Sequence, residues 1–259
     1  MSKSPGALAG EGLGLLRGIC EFPFDDRRRL VLTDWLEEND RPAQAEYVRT
    51  ALELHKALPP IRAAVVAELE AEEGYGSWHA RYVGGLPTDR FLWWLLDERP
   101  EQYEKVKPLA DAYLDLFDKE FLYPFIGDNW RDTRFTFERG LVARVAIRAK
   151  LLTAHAAELF GILPITDVAL YHAKTRIGGH GELLDGSLTR RGWRTGRLPG
   201  PIFAHLDKVG MPVSIRGASV TFPDDVDDYE LVSRACVAYG REQAGLPPLE
   251  WAAPTAPTT

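Results

Sequence analysis

The stretch RLVLTDWLEEND, Arg29 to Asp40, sets three carboxylates, Asp34, Glu37 and Glu38, around a single tryptophan, Trp35. Paired carboxylates can serve as acid and base, or hold a metal, when one is desolvated or two converge on a cleft. The spacing argues against that use. At helical period Val31, Leu32, Trp35 and Leu36 fall on one side, which is expected to face inward. Asp34 and Glu38 lie four apart along the edge of this stripe, with Arg27 two turns earlier on the same edge and Glu37 further round. Arg27 and Arg49 are placed to neutralise them, so the expectation is a structural ion network of Arg27, Asp34, Glu38 and Arg49. No catalytic residue is assigned.

The remaining chemistry-bearing types are sparse. Histidines 55, 79, 155, 172, 180 and 205 form no H-E-x-x-H or zinc-finger spacing. His172 and His180 flank a glycine-rich loop and are the best of the set for a metal or general base, whereas His55 sits on an apolar stripe and reads as packed and hydrogen-bonded. The segments GEGLG and GGHG are too short for a phosphate loop, and no serine occupies a G-x-S-x-G elbow. Cys20 and Cys236 are isolated and read as two buried thiols, so no metal and no cofactor are implied.

The sharpest binding candidate is LTRRGWRTGR, where Arg190, Arg191, Arg194 and Arg197 surround Trp193. Guanidinium groups offer bidentate donors and the indole a stacking face, which suits an acidic protein surface, a nucleotide or single-stranded nucleic acid. The rival is internal pairing with Asp224, Asp225, Asp227, Asp228 and Glu230. A net charge of −7 favours that rival over nucleic acid, because phosphate-backbone binding needs many cations on one surface.

The elements that must position these residues fall into two packed halves, within the reach of a 259-residue chain whose composition, 45% hydrophobic and 27% charged, is that of a globular protein. Residues 1–10 and 252–259 read as disordered tails, and 11–127 as a helical region. In that region Asp25 or Asp26 caps a first helix, a turn at Asn39 and Asp40 folds it onto a second, and the two prolines at 59 and 60 begin a third that ends at Gly74. Glycine-rich GYGSWHARYVGGLP breaks the pattern, Thr88 caps a helix FLWWLL expected to be buried on all sides, and Pro108 kinks or divides the next. From 128 to 250 the period changes: RFTFERGLVARVAIRA alternates about a turn or bulge at Gly140, and strand, helix, strand follows, which forces a parallel pairing. The last helix carries Leu231, Ala235, Cys236 and Tyr239 inward. No run approaches a membrane span and the N-terminus lacks a secretory core, so a cytoplasmic location with no membrane partner is expected.

The segment Leu15 to Leu54 (hairpin bounds 15–58) resembles the bacterial repeat-companion domain, a short helical module found beside leucine-rich-repeat-like segments. The likeness is carried by Asp25-Asp26, by Arg29-Leu30 followed by Asp34-Trp35-Leu36-Glu37-Glu38, and by Ala45-Glu46 with Arg49. FERGLVARVAI and ELFGILPITDVAL look like the degenerate repeats that accompany it, though a long array is lacking. The resemblance implies no established activity and points to protein interaction. The whole is expected to be an α+β protein, an N-terminal helical half followed by a small parallel or mixed sheet with covering helices, degenerate leucine-rich-repeat-like. Its expected function is that of a non-catalytic interaction or adaptor protein whose partner is another protein. The alternatives are a nucleic-acid or nucleotide binder through Arg190–Arg197, and an enzyme drawing on His172, His180 and the carboxylates.

Overall fold

Two consecutive aspartates start the first long helical run, and the first of them does the capping. In the computed structural model, which describes residues 10–72, 77–116, 133–171, 200–206, 214–216, 219–221 and 228–250, Asp25 is extended and its carboxylate accepts the Arg27 amide at 3.0 Å. Helix α1 (Glu11–Glu21) precedes this cap, and α2 (Asp26–Glu38) follows it. Asp40 adopts φ 59° and the Arg41 amide returns to the Leu36 carbonyl at 2.8 Å, closing a tight turn into α3 (Pro42–Ala71). Arg29, Leu32, Thr33 and Leu36 of α2 are buried. Val31, expected inward, is 51% exposed, and Leu30 beside it is 44% exposed. Trp35 is half-buried against α1, where a Cβ on Gly12 would lie 2.5 Å from its ring.

Helix α3 does not stop at its prolines. It runs 30 residues with Pro59 and Pro60 inside, where the sequence suggests a new helix. Proline removes two amide donors and so leaves the carbonyls of His55 and Lys56 without helical partners. Both prolines are exposed, on a side where water can serve those groups, while Leu58, Ile61, Val65 and Leu69 keep the buried stripe continuous across them. The glycine-rich stretch also differs from expectation: α4 (Ser77–Gly84) forms there, with Ala80 and Val83 buried. In α5 (Thr88–Glu98) the cap position falls on Pro87 and Thr88 is the first helical residue, without a side-chain cap bond. Phe91, Leu92 and Leu95 are buried, but Trp93 is 53% and Leu96 40% exposed, so the run is two-sided and not enclosed. Helices α6 (Pro100–Tyr103) and α7 (Lys107–Asp115) divide just before Pro108.

Strands β1 (Arg134–Glu138) and β2 (Leu141–Arg148) are joined by Arg139 and Gly140, both at positive φ (53° and 79°), the backbone that a two-residue hairpin turn demands. Glycine is required at 140 for a second reason: a Cβ there would stand 2.9 Å from the Val48 Cα. Helix α8 (Ala149–Ile162) leads to β3 (Asp167–Tyr171), and the sheet order is β1-β2-β3, a small mixed sheet with flanking helices. A separate antiparallel pair, β4 (Ser214–Arg216) and β5 (Ser219–Thr221), aligns Ser214 with Thr221.

The chain divides into two units, Met1–Ile19 with Pro23–Val145, and Cys20–Phe22 with Ala146–Thr259. The core of the first is built by α2, α3, α4 and α7, where the Tyr47 and Tyr113 rings stack at 5.3 Å. In the second, α10 (Asp228–Gln243) packs on α8, on β3 and on α9 (Gly200–Leu206). Ala235, Cys236 and Tyr239 are buried there as expected, whereas the side chain of Leu231 lies outside the described residues. The Cys236 thiol is pushed up by burial, and Cys20 is likewise a buried thiol. Arg241, 1% exposed, explains why residues 20–22 belong here: it donates to the carbonyls of Cys20 (2.8 Å), Glu21 (2.9 Å) and Pro247 (2.8 Å).

Candidate functional site

The acidic edge of α2 meets α3 through one arginine. Arg49 Nη2 donates to Asp34 Oδ1 at 3.1 Å and to Glu37 Oε2 at 3.0 Å, and Arg49 Nη1 donates to Glu37 Oε1. Of the four residues expected in an ion network, Arg49 and Asp34 are joined; Glu37 takes the place anticipated for Glu38, and neither Glu38 nor the Arg27 side chain joins an ion pair among the described residues. The sequence underrated Glu37 because a helical wheel gives its angle on α2 but not the line of approach of α3. Hydrogen bonding to Arg49 holds the Glu37 carboxyl below its ordinary range, and the same contact raises Arg49. These acids are solvent-facing, with Asp34 70% exposed, and lack the desolvation a general acid needs.

Behind the hairpin, Arg139 links three elements. Its Nε donates to His55 Nε2 at 3.0 Å, and its Nη1 reaches the Phe24 carbonyl at 3.2 Å and Asp26 Oδ1 at 3.4 Å. Because His55 Nε2 accepts from a permanent cation, the proton of the neutral ring sits on Nδ1. Burial first, and the Arg139 charge second, pull the His55 pKa below its usual value. His55 is therefore a neutral, oriented side chain.

That imidazole lines a cleft of about 520 Å³ lying wholly within the first unit. Leu58, Pro59, Ala63 and Val66 of α3 and Leu86 and Pro87 before α5 form an apolar lining; Arg62, Glu138, Arg144, Thr88 and Thr136 add polar groups. The size and the mixed lining are those of small-ligand sites. Arg62 is its most unusual member. Nη1 donates to the carbonyls of Gly84 (2.9 Å), Leu86 (2.8 Å) and, at a longer 3.3 Å, Val83, so the side chain closes the C-terminal end of α4. Its guanidinium lies 4.0 Å above the Phe91 ring. Among the described residues Nε and Nη2 make no hydrogen bond and no carboxylate forms an ion pair with this side chain. Burial lowers the Arg62 pKa while the charge of Glu138, on the same cleft, raises it, and the group stays cationic. Nothing near Arg62 in the sequence marks it, since its acceptors come 21 to 24 residues later; an arginine between Ile61 and Val65 on an apolar face was the available hint.

The loop residues Arg190, Arg191, Trp193, Arg194 and Arg197, and His172 and His180, lie outside the described residues. Among the described residues no group of three or more His, Cys, Asp or Glu is arranged to hold a metal ion, and no helix is long and apolar enough to cross a membrane. Comparison with protein-family models, with curated proteins and with solved structures finds no match to this chain.

Proposed function

We propose that the chain is a non-catalytic interaction protein of the cytoplasm, an adaptor whose helical half is related to the repeat-companion domain and whose strands are degenerate leucine-rich-repeat-like segments. One observation carries this reading: the outer face of α5. Trp93 and Leu96, three residues apart, are 53% and 40% exposed on a helix whose other side is packed by Phe91, Leu92 and Leu95. Tryptophan is among the residue types enriched at the energetic centres of protein interfaces. Leu30 and Val31 of α2 add a second outward apolar pair. The acids of α2, matched by Arg49 and hydrated, support a structural role for the residues that most resemble a catalytic group.

Affinity capture with the full chain, in parallel with Trp93→Glu, tests the proposal. The expected result is a protein partner retained by the wild type and depleted roughly tenfold by the substitution, the scale of a lost aromatic anchor. Circular dichroism should be unchanged. Identical capture by both chains overturns the reading.

A further inference from the structure

We infer that the cleft of the first unit binds a carboxylate on a short apolar stem, with Arg62 presenting its Nε–Nη2 edge to the carboxylate oxygens. The inference rests on the reading of the chain as a binding protein and names what that protein would recognise.

The geometry of Arg62 carries it. A guanidinium has two forks suited to bidentate pairing, and the one made by Nε and Nη2 is the side edge that matches the two oxygens of a carboxylate. In Arg62 all the hydrogen bonds to described residues fall on Nη1, through the Val83, Gly84 and Leu86 carbonyls. Those bonds fix the plane of the group, and the Phe91 ring 4.0 Å away covers one face of it. The remaining edge is thus held in position and lined up before any ligand arrives, which lowers the ordering cost of binding. Carbonyl dipoles compensate the charge of this partly buried cation only in part, and Glu138, whose charge it feels across the cleft, forms no ion pair with it.

The surroundings select the rest of the ligand. Arg144 adds a second cation to the lining, Glu138 is its one carboxylate among the described residues, and His55, tied to Arg139, contributes no charge. Thr88, the first residue of α5, brings the positive end of an 11-residue helix to the same cleft. Leu58, Pro59, Ala63, Val66, Leu86 and Pro87 provide the apolar walls, which favour an aliphatic or aromatic stem over a sugar or a polyanion. Such a group occurs on free small acids and at the C-terminus of a polypeptide ending in an apolar residue, and the chemistry of recognition is shared.

Isothermal titration of the full chain with phenylacetate and phenylacetamide, and with a short peptide ending in phenylalanine as free acid and as amide, separates the sources. The acid of at least one pair should bind roughly tenfold more tightly than its amide, the difference a bidentate charged contact makes. Binding of phenylacetate assigns the site to small acids; binding of the free-acid peptide alone assigns it to a C-terminus. Arg62→Lys keeps the charge and loses the fork, and should cost the acid roughly tenfold. Because that substitution also touches the end of α4, Glu138→Gln is the second variant: it removes the competing carboxylate and should tighten the acid about threefold with no change in folding. The inference is overturned if no acid binds, if acids and amides bind alike, or if neither variant alters acid affinity. Partner capture through Trp93 does not use this cleft, so loss of acid binding with capture intact refutes this inference alone, and the converse refutes the adaptor reading alone.

Discussion

Helix α3 carries two arginines thirteen positions apart that meet opposite environments. Arg49, near its start, lies across two hydrated carboxylates of α2; Arg62, beyond the prolines, faces backbone carbonyls, an aromatic ring and an open cleft. The first arrangement is saturated: charge meets charge in water, and an exposed pair of that kind adds little to stability. The second leaves half of a guanidinium unused in a place where solvent screens it less. The conspicuous cluster of acids is therefore paired and hydrated, and the solitary arginine is the one that keeps unused donors on a cleft.

The comparison extends to Arg241, the most buried of the three, whose acceptors are likewise carbonyls. Arg241→Met should give the largest loss, about 4 kcal/mol in chemical denaturation, since it strands three acceptors of which two end α1. Arg62→Met should cost about half as much, roughly 2 kcal/mol, because its surroundings are part-hydrated. Equal losses at the two sites would erase the distinction drawn between them.

Acid should weaken the first unit through His55. Its folded-state pKa lies below the 6.5 of an ordinary histidine, so the unfolded chain binds the proton first. The stabilisation is complete above that pH and drains as pH falls through it toward the folded value. His55→Gln, which retains an acceptor for Arg139, should flatten the fall of denaturation midpoints below pH 6.5 relative to the wild type. Smallest of all should be Arg49→Ala. It should barely move the melting temperature, yet the Glu37 carboxyl followed by NMR should rise toward the ordinary 4.5. A large melting shift would mean that the hairpin depends on this contact after all.

Much of the hairpin was legible in the sequence, because its determinants are local: the Asp25 cap, the apolar period of α2 and α3, and the polar turn at Asn39 and Asp40. The helical half, the small mixed sheet and the division near Pro108 follow from periodicity in the same way. What escaped depends on residues far apart in the chain. The continuity of α3 through Pro59 and Pro60 needs a stripe buried by other helices, and α4 has its end carbonyls closed by an arginine from α3. An apolar run such as FLWWLL announces burial of its average residue without saying which of its sides is covered, so the outward Trp93 was missed. Arg62 escaped for the same reason as α4, of which it is the other half.

The turn at Arg139 and Gly140 looks like the surface tip where tags and extra residues are usually tolerated. With the Val48 backbone so close that even a methyl group at position 140 has no room, that tip is a seam between hairpin and helix. An engineer wishing to splice a reporter into this protein should leave the β1–β2 junction whole.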